Sequence, residues 1–133
     1  MKELVWDRTL SVGVPEIDED HRKLVDLFNL LNRAVTEGAS RDYTEALVDE
    51  LISCTVWHFK HEERLMLKYG YPGLAEHRSE HTELIDSAQA LQRKFQSGAG
   101  PAASEDIEFV EHWLTGHIYG ADMDLGAYLG EVM

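Results

Sequence analysis

Apolar residues recur at helical spacing along almost the whole of this chain. Ile17, His21, Leu24, Phe28, Leu31 and Val35 follow one another at intervals of 4, 3, 4, 3 and 4 residues. That alternation is the inward stripe of a helix packed in a bundle, and it carries a histidine. The stripe predicts a first helix from about Pro15–Ile17 to Gly38, with Gly38 as its C-cap. A second helix is expected from Asp42, with Glu45 three residues on as a capping box, to Gly70. Its seam is Leu47, Leu51, Cys54, His58 and Leu65; between the last two, His61 and Glu62 both fit the inward position, and spacing does not choose.

The turn Tyr71-Pro72-Gly73 leads to a third helix, about Leu74 to Ser97, whose seam is Leu74, His77, His81, Leu84, Ala88, Leu91 and Phe95. A flexible link at residues 98–103 precedes a fourth helix capped by Ser104, with Ile107, Val110, Leu114 and His117 inward until Gly120 interrupts it. Residues 1–16 read as an irregular arm that lays Val5, Trp6, Leu10, Val12 and Val14 across the bundle; Tyr128 and Leu129, in a short tail, cap it. No segment has strand periodicity. The expected fold is all-α, an up-down-up-down antiparallel four-helix bundle with an irregular N-terminal arm, one domain over residues 1–133.

The charge balance narrows the partners. Twelve Lys+Arg against 25 Asp+Glu give −13, which repels phosphate backbones and anionic headgroups, so neither nucleic acid nor a stable membrane association is expected. The single cysteine, Cys54, cannot form an internal disulfide, and it reads as a small core residue rather than a ligand. With no long apolar run at the N-terminus and none approaching a membrane span, a cytoplasmic protein is expected; separately, a monomer is favoured.

The histidines change the picture more. His58 and Glu62 stand four residues apart, one helical turn, and His77 and His81 form a second such pair. With His21, His117 and Asp122 they place five imidazoles and two carboxylates on four helices. Unmet, each inward ring acceptor would cost on the order of 1–3 kcal/mol. His112 lies about 200° around the helix from Leu114 and is assigned to the surface. Early positions on odd helices and late positions on even ones meet at one end of an alternating bundle, so the whole set arrives at one level. Five nitrogens and two carboxylates exceed a tetrahedral zinc and suit two six-coordinate ions, with both carboxylates and an oxygen bridging and one position open. Iron–sulfur thiolate clusters are absent, and His61-Glu62-Glu63-Arg64-Leu65 has leucine where a zinc protease needs its second histidine.

Taken in order, His21, His58-x-x-x-Glu62, His77-x-x-x-His81 and His117-x-x-x-x-Asp122 resemble the hemerythrin family, most closely its bacterial single-domain members. The likeness extends to Trp6, Val12-Gly13-Val14, Ile17-Asp18, Met66, Tyr71-Pro72 and His112-Trp113-Leu114; Asp20 departs from it, where the family often has glutamine. The resemblance implies that Glu62 rather than His61 is a bridge. It implies two iron ions, oxo- or hydroxo-bridged, one on His77, His81 and His117, the other on His21 and His58, with Glu62 and Asp122 shared. Asp122, five after His117, would point about 140° away on an unbroken helix; Gly120 is expected to loosen the backbone so that it swings back.

The resemblance further implies dioxygen as the ligand, bound reversibly for storage or for delivery to an oxygen-consuming enzyme, in an apolar pocket walled by Leu114 and Ile118. Manganese suits the same donors. The alternatives are a sensor of oxygen, iron or redox state, which needs a separate output partner, and a di-iron oxidase or peroxidase. The latter use Glu-x-x-His pairs, and no histidine here has glutamate three residues before it.

Overall fold

The computed structural model describes residues 4, 10–96 and 104–133. The arm residues Val5 and Trp6 and the link at 98–103 lie outside the described residues, as do the side chains of Phe95 and Ile107. Four helices make the bundle: α1 (Pro15–Thr36), α2 (Arg41–Tyr69), α3 (Leu74–Gln96) and α4 (Ser104–His117). α4 continues through a π-helical turn, Ile118–Asp122, into α5 (Met123–Val132). α1 packs on α2 and α4, and α3 packs on the same two, so the helices form a closed ring around one core. No strand occurs among the described residues.

Helix ends follow from local chemistry. Pro15 opens α1, where its missing N–H would have had no partner. The helix stops at Thr36, two residues before the expected cap. Gly38 then adopts φ +68°, and the Ala39 N–H closes back on the Ala34 carbonyl at 2.9 Å. α2 begins on Ser40, not on Asp42, because the Ser40 Oγ accepts the Tyr43 N–H at 3.2 Å and satisfies a free donor of the first turn. Glu45 is therefore no capping-box partner; it accepts from Arg41 Nε at 3.2 Å on the surface. Gly70, at φ +65°, ends α2 as expected. α4 starts at Ser104 itself, within the usual scatter of helix ends.

Most of the expected seam is interior: Ile17, His21, Leu24, Phe28, Leu31, Leu47, Leu51, His58, Leu65, Val110, Leu114 and His117 are all buried. One position shifts. Thr55 is fully buried and Cys54 only partly, because the Thr55 hydroxyl donates to the Leu51 carbonyl at 2.7 Å and so enters the core satisfied. Among the described side chains of α3, His77 and His81 are the buried ones, while Leu74, Leu84, Ala88 and Leu91 are half-buried.

The arm and the C-terminal segment lock one another. Leu10, Val12 and Val14 are buried, and Asp18 holds the arm by accepting from the Val12 N–H at 2.8 Å and the Ser11 hydroxyl at 2.6 Å. The residues after Asp122 are no loose tail. α5 buries Leu125 and Leu129 completely, and the Tyr128 hydroxyl donates to the Tyr69 carbonyl at 2.7 Å, tying α5 to the end of α2. Gly126 lies so close to the arm that an added Cβ would stand 2.1 Å from the Val12 carbonyl oxygen. Backbone cannot yield there as a side chain can. Gly126→Ala is therefore expected to destabilise the fold by about 1–3 kcal/mol, read as a lowered thermal midpoint, whereas Gly130→Ala, with open space around it, should not.

Candidate metal centre

Each helix contributes a short stretch to one buried cluster. α1 supplies His21, α2 His58 and Glu62, α3 His77 and His81, α4 His117, and the π turn Asp122. Every one is buried, and His21, Glu62 and Asp122 are fully enclosed at 0% exposure. His61, the alternative that spacing left open beside Glu62, lies at the rim, while His112 is exposed on the far face of α4.

The two carboxylates divide their oxygens between two sets of imidazoles. Glu62 Oε2 lies 2.9 Å from His58 Nε2 and 3.6 Å from His21 Nε2. Its other oxygen, Oε1, lies 3.0 Å from His77 Nε2, 2.9 Å from His81 Nε2 and 3.9 Å from His117 Nε2. Asp122 repeats the division: Oδ2 is 2.8 Å from His21 Nε2, while Oδ1 is 3.0 Å from His117 Nε2 and 3.2 Å from His77 Nε2. The cluster thus separates into two donor groups, His21/His58 and His77/His81/His117, which share Glu62 and Asp122.

These donors fit metal ions better than they fit one another. Among the described residues, His21 Nε2, His58 Nε2, His117 Nε2, Glu62 Oε2 and both Asp122 oxygens are buried without a properly aligned hydrogen bond, though they stand close together. Nitrogen and oxygen donors sit roughly 2.0–2.2 Å from a divalent ion, so neighbours at right angles around it stand roughly 3 Å apart. Most of the contacts above have that separation. Three of the remaining ring nitrogens point outward to carboxylates: His58 Nδ1 to Asp20 at 2.9 Å, His81 Nδ1 to Glu63 at 3.0 Å and His117 Nδ1 to Glu80 at 2.8 Å. A carboxylate only accepts, so each Nδ1 carries the proton and each Nε2 lone pair is free for the interior.

The backbone does loosen around Gly120, and it does so as a π turn. The Met123 N–H bonds back to the Ile118 carbonyl, the i→i+5 pattern of a π turn. That turn takes in one more residue than an α turn, which brings the fifth residue after His117 onto its face. Gly120 has no positive φ, and an added Cβ would meet nothing within 4 Å. Its freedom is not what aims the carboxylate.

A cavity of about 10 Å³ touches His21 and His58 of one set, His117 of the other and the shared Asp122, and is otherwise lined by Leu24, Thr55, Phe59, Leu84, Trp113, Leu114 and Ile118. That is room for about one small molecule. Leu114 and Ile118, chosen from the resemblance, are both on its wall; Leu24 and Phe59 were not foreseen, although Leu24 is one turn from His21 and Phe59 is next to His58. Phe59 also stacks on His81, with ring centroids 3.8 Å apart and planes within 4°. Trp113 is fixed by its indole N–H, which donates to the Leu84 carbonyl at 2.9 Å. Cys54 belongs to none of the donor groups.

The comparisons fit this arrangement. The family described as hemerythrin HHE cation binding domain matches residues 12–129. The chain belongs to the hemerythrin family. Bacteriohemerythrin of Stenotrophomonas maltophilia (strain R551-3) is 34% identical over 130 residues, covering 97% of this chain and 81% of that protein. Bacteriohemerythrin of Methylococcus capsulatus (strain Bath) is 35% identical over 112 residues, covering 84% of this chain and 85% of that one. A crystal structure of wild-type hemerythrin superposes with a TM-score of 0.87 at 32% identity, covering 96% of this chain and 98% of that chain. In a hemerythrin fold the buried histidine–carboxylate cluster is the place for the two iron ions, and the donors present here fit them.

Without metal, the cluster holds protons instead. Burial pulls the His117 pKa down, but the close Asp122 and Glu62 carboxylates outweigh it and push the value up to about 11. The same opposition leaves His58 and His77 at about 9, with Glu62 and Asp20 acting on the first and Asp122 and Glu62 on the second. Burial and the Glu62 charge raise Asp122, yet His117 and His21 bring it to about 2; Glu62 is likewise held well below its ordinary value by His58, His117 and His21 against burial.

Two outcomes follow from these groups. Stabilisation from the raised histidines is complete below pH 6.5 and is lost as pH rises through 9, while that from the lowered carboxylates is present above pH 4.5 and lost on acidification. The thermal midpoint of metal-free protein should peak between pH 4.5 and 6.5, and metal loading at pH 7 should release the protons of His58, His77 and His117, read by a pH indicator in weak buffer. Gly120→Ala should keep full metal uptake and stabilise the chain by about 0.4–1 kcal/mol, measured by metal analysis and thermal unfolding; loss of metal would restore a role for glycine there.

Proposed function

We propose that this chain binds dioxygen reversibly at a di-iron centre, as a store or as a supply to an oxygen-consuming enzyme, and does not itself turn over substrate. The observation that carries the reading is the division of the Glu62 and Asp122 oxygens between a two-histidine and a three-histidine set. Such sharing suits two adjacent ions and has no use for one. His21 and His58 are the proposed ligands of one iron, His77, His81 and His117 of the other, and Glu62 and Asp122 the bridges. Iron in those two positions supplies the electrons for reversible dioxygen binding.

The protein's own part is enclosure and asymmetry. Two nitrogens on one side against three on the other would leave the two-histidine side less saturated, and the small cavity meets both histidines of that side but only His117 of the other. Leu24, Phe59, Leu114 and Ile118 offer no hydrogen bond to water, so the cavity favours a small apolar guest over solvent. Neutral imidazoles provide nitrogen without adding charge to a dry core, which keeps the desolvation cost of the centre low. No catalytic residue is assigned; residues 1–133 act as one domain in this reading, with dioxygen as the partner. Among the described residues no helix is long and apolar enough to cross a membrane, in keeping with the proposed cytoplasmic setting.

Anaerobically reduced, iron-loaded protein exposed to air should gain a charge-transfer band near the visible–ultraviolet boundary, and removal of oxygen should bleach it over repeated cycles. Irreversible oxidation at the first exposure would overturn reversible binding. Sustained consumption of peroxide or ferrous iron beyond one equivalent per centre would instead identify an oxidase or peroxidase.

A further inference from the structure

The three carboxylates that face the ligand histidines from outside are not equivalent. Glu63 and Glu80 reach out to His81 and His117 from positions 22% and 42% exposed, where solvent weakens their influence. Asp20 is 7% exposed and meets a histidine that is 2% exposed. Its Oδ2 accepts from His58 Nδ1 at 2.9 Å and also from Nδ1 of His61, whose other ring nitrogen lies 3.3 Å from Glu16 at the surface. On the same side, His21 Nδ1 is buried with no hydrogen-bond partner among the described residues. The two-histidine set therefore has one outer carboxylate, and it is the buried one.

We infer that Asp20, anchored by His61, is a positioning residue that fixes the His58 ring and strengthens the weaker of the two metal sets. The inference rests on the two-ion reading above. An accepting carboxylate obliges His58 to carry its proton on Nδ1, which turns the Nε2 lone pair inward, 2.9 Å from Glu62 Oε2. An ionised partner also makes that Nε2 a better donor, and in a buried setting the effect is largest. His61 holds the carboxylate oxygen in line from the rim. In this way a set with two nitrogens is made competitive with one that has three.

The test is a Co(II) titration of metal-free protein, with the paramagnetically shifted Nδ1–H resonance of His58 reporting which set is filled. Wild-type protein should take up two ions per chain. Asp20→Asn, nearly identical in shape, should weaken one of the two steps by about 10–100-fold, remove or displace the His58 resonance, and leave the other step unchanged. His61→Phe should weaken the same step by a smaller factor, and Glu80→Gln should act only on the other. Two ions bound by wild type with both steps unaltered in Asp20→Asn would overturn this inference alone. So would an equal weakening of both steps accompanied by a lowered thermal midpoint, which marks a general structural role. Fewer than two ions in wild type would overturn the two-ion reading and this inference with it.

Discussion

Seven polar side chains buried at one level of a bundle must find their partners in the same small space. Their lone pairs and charges converge in the buried interior, and an unpaired group there costs on the order of 1–3 kcal/mol. Two metal ions would answer the whole set. Protons answer it in part, as the raised histidine pKa values show, but a proton joins one pair of atoms whereas an ion collects several. The rest of the structure brings those side chains to the same place.

The way the helices are tied reflects that purpose. Asp20 on α1 holds His58 on α2, Glu63 on α2 holds His81 on α3, and Glu80 on α3 holds His117 on α4. Each carboxylate sits beside a cluster residue of its own helix and orients a histidine of the next. One set of hydrogen bonds thus sets ring orientation and helix-to-helix register together. Elsewhere the bundle is an ordinary apolar core, closed at the α2 end by α5 and the Tyr128 hydroxyl.

Much of this was legible in the residue pattern. Intervals of three and four named the helices and put His21, His58, His77, His81 and His117 inward, because burial on a helix is periodic and those residues keep the period. What escaped was whatever depends on contact between helices or on a local change of pitch. His61 and Glu62 were indistinguishable by spacing; only the neighbouring helices send one to the rim and the other to the centre. Thr55 displaced Cys54 because a hydrogen bond to its own helix hid its hydroxyl. The loosening expected at Gly120 takes the form of a π turn, which leaves no mark in periodicity beyond a spacing of five where four is expected. The outer carboxylates had a faint signal, an acid next to a cluster residue on each helix, which becomes readable only once the helices are paired.

Mössbauer spectroscopy of the iron-loaded chain, read with its iron content, tests the central claim most directly, because shared carboxylates should couple the two ions magnetically. The account requires two iron atoms per chain behaving as one antiferromagnetically coupled pair. A single iron, or two that behave independently, would contradict it.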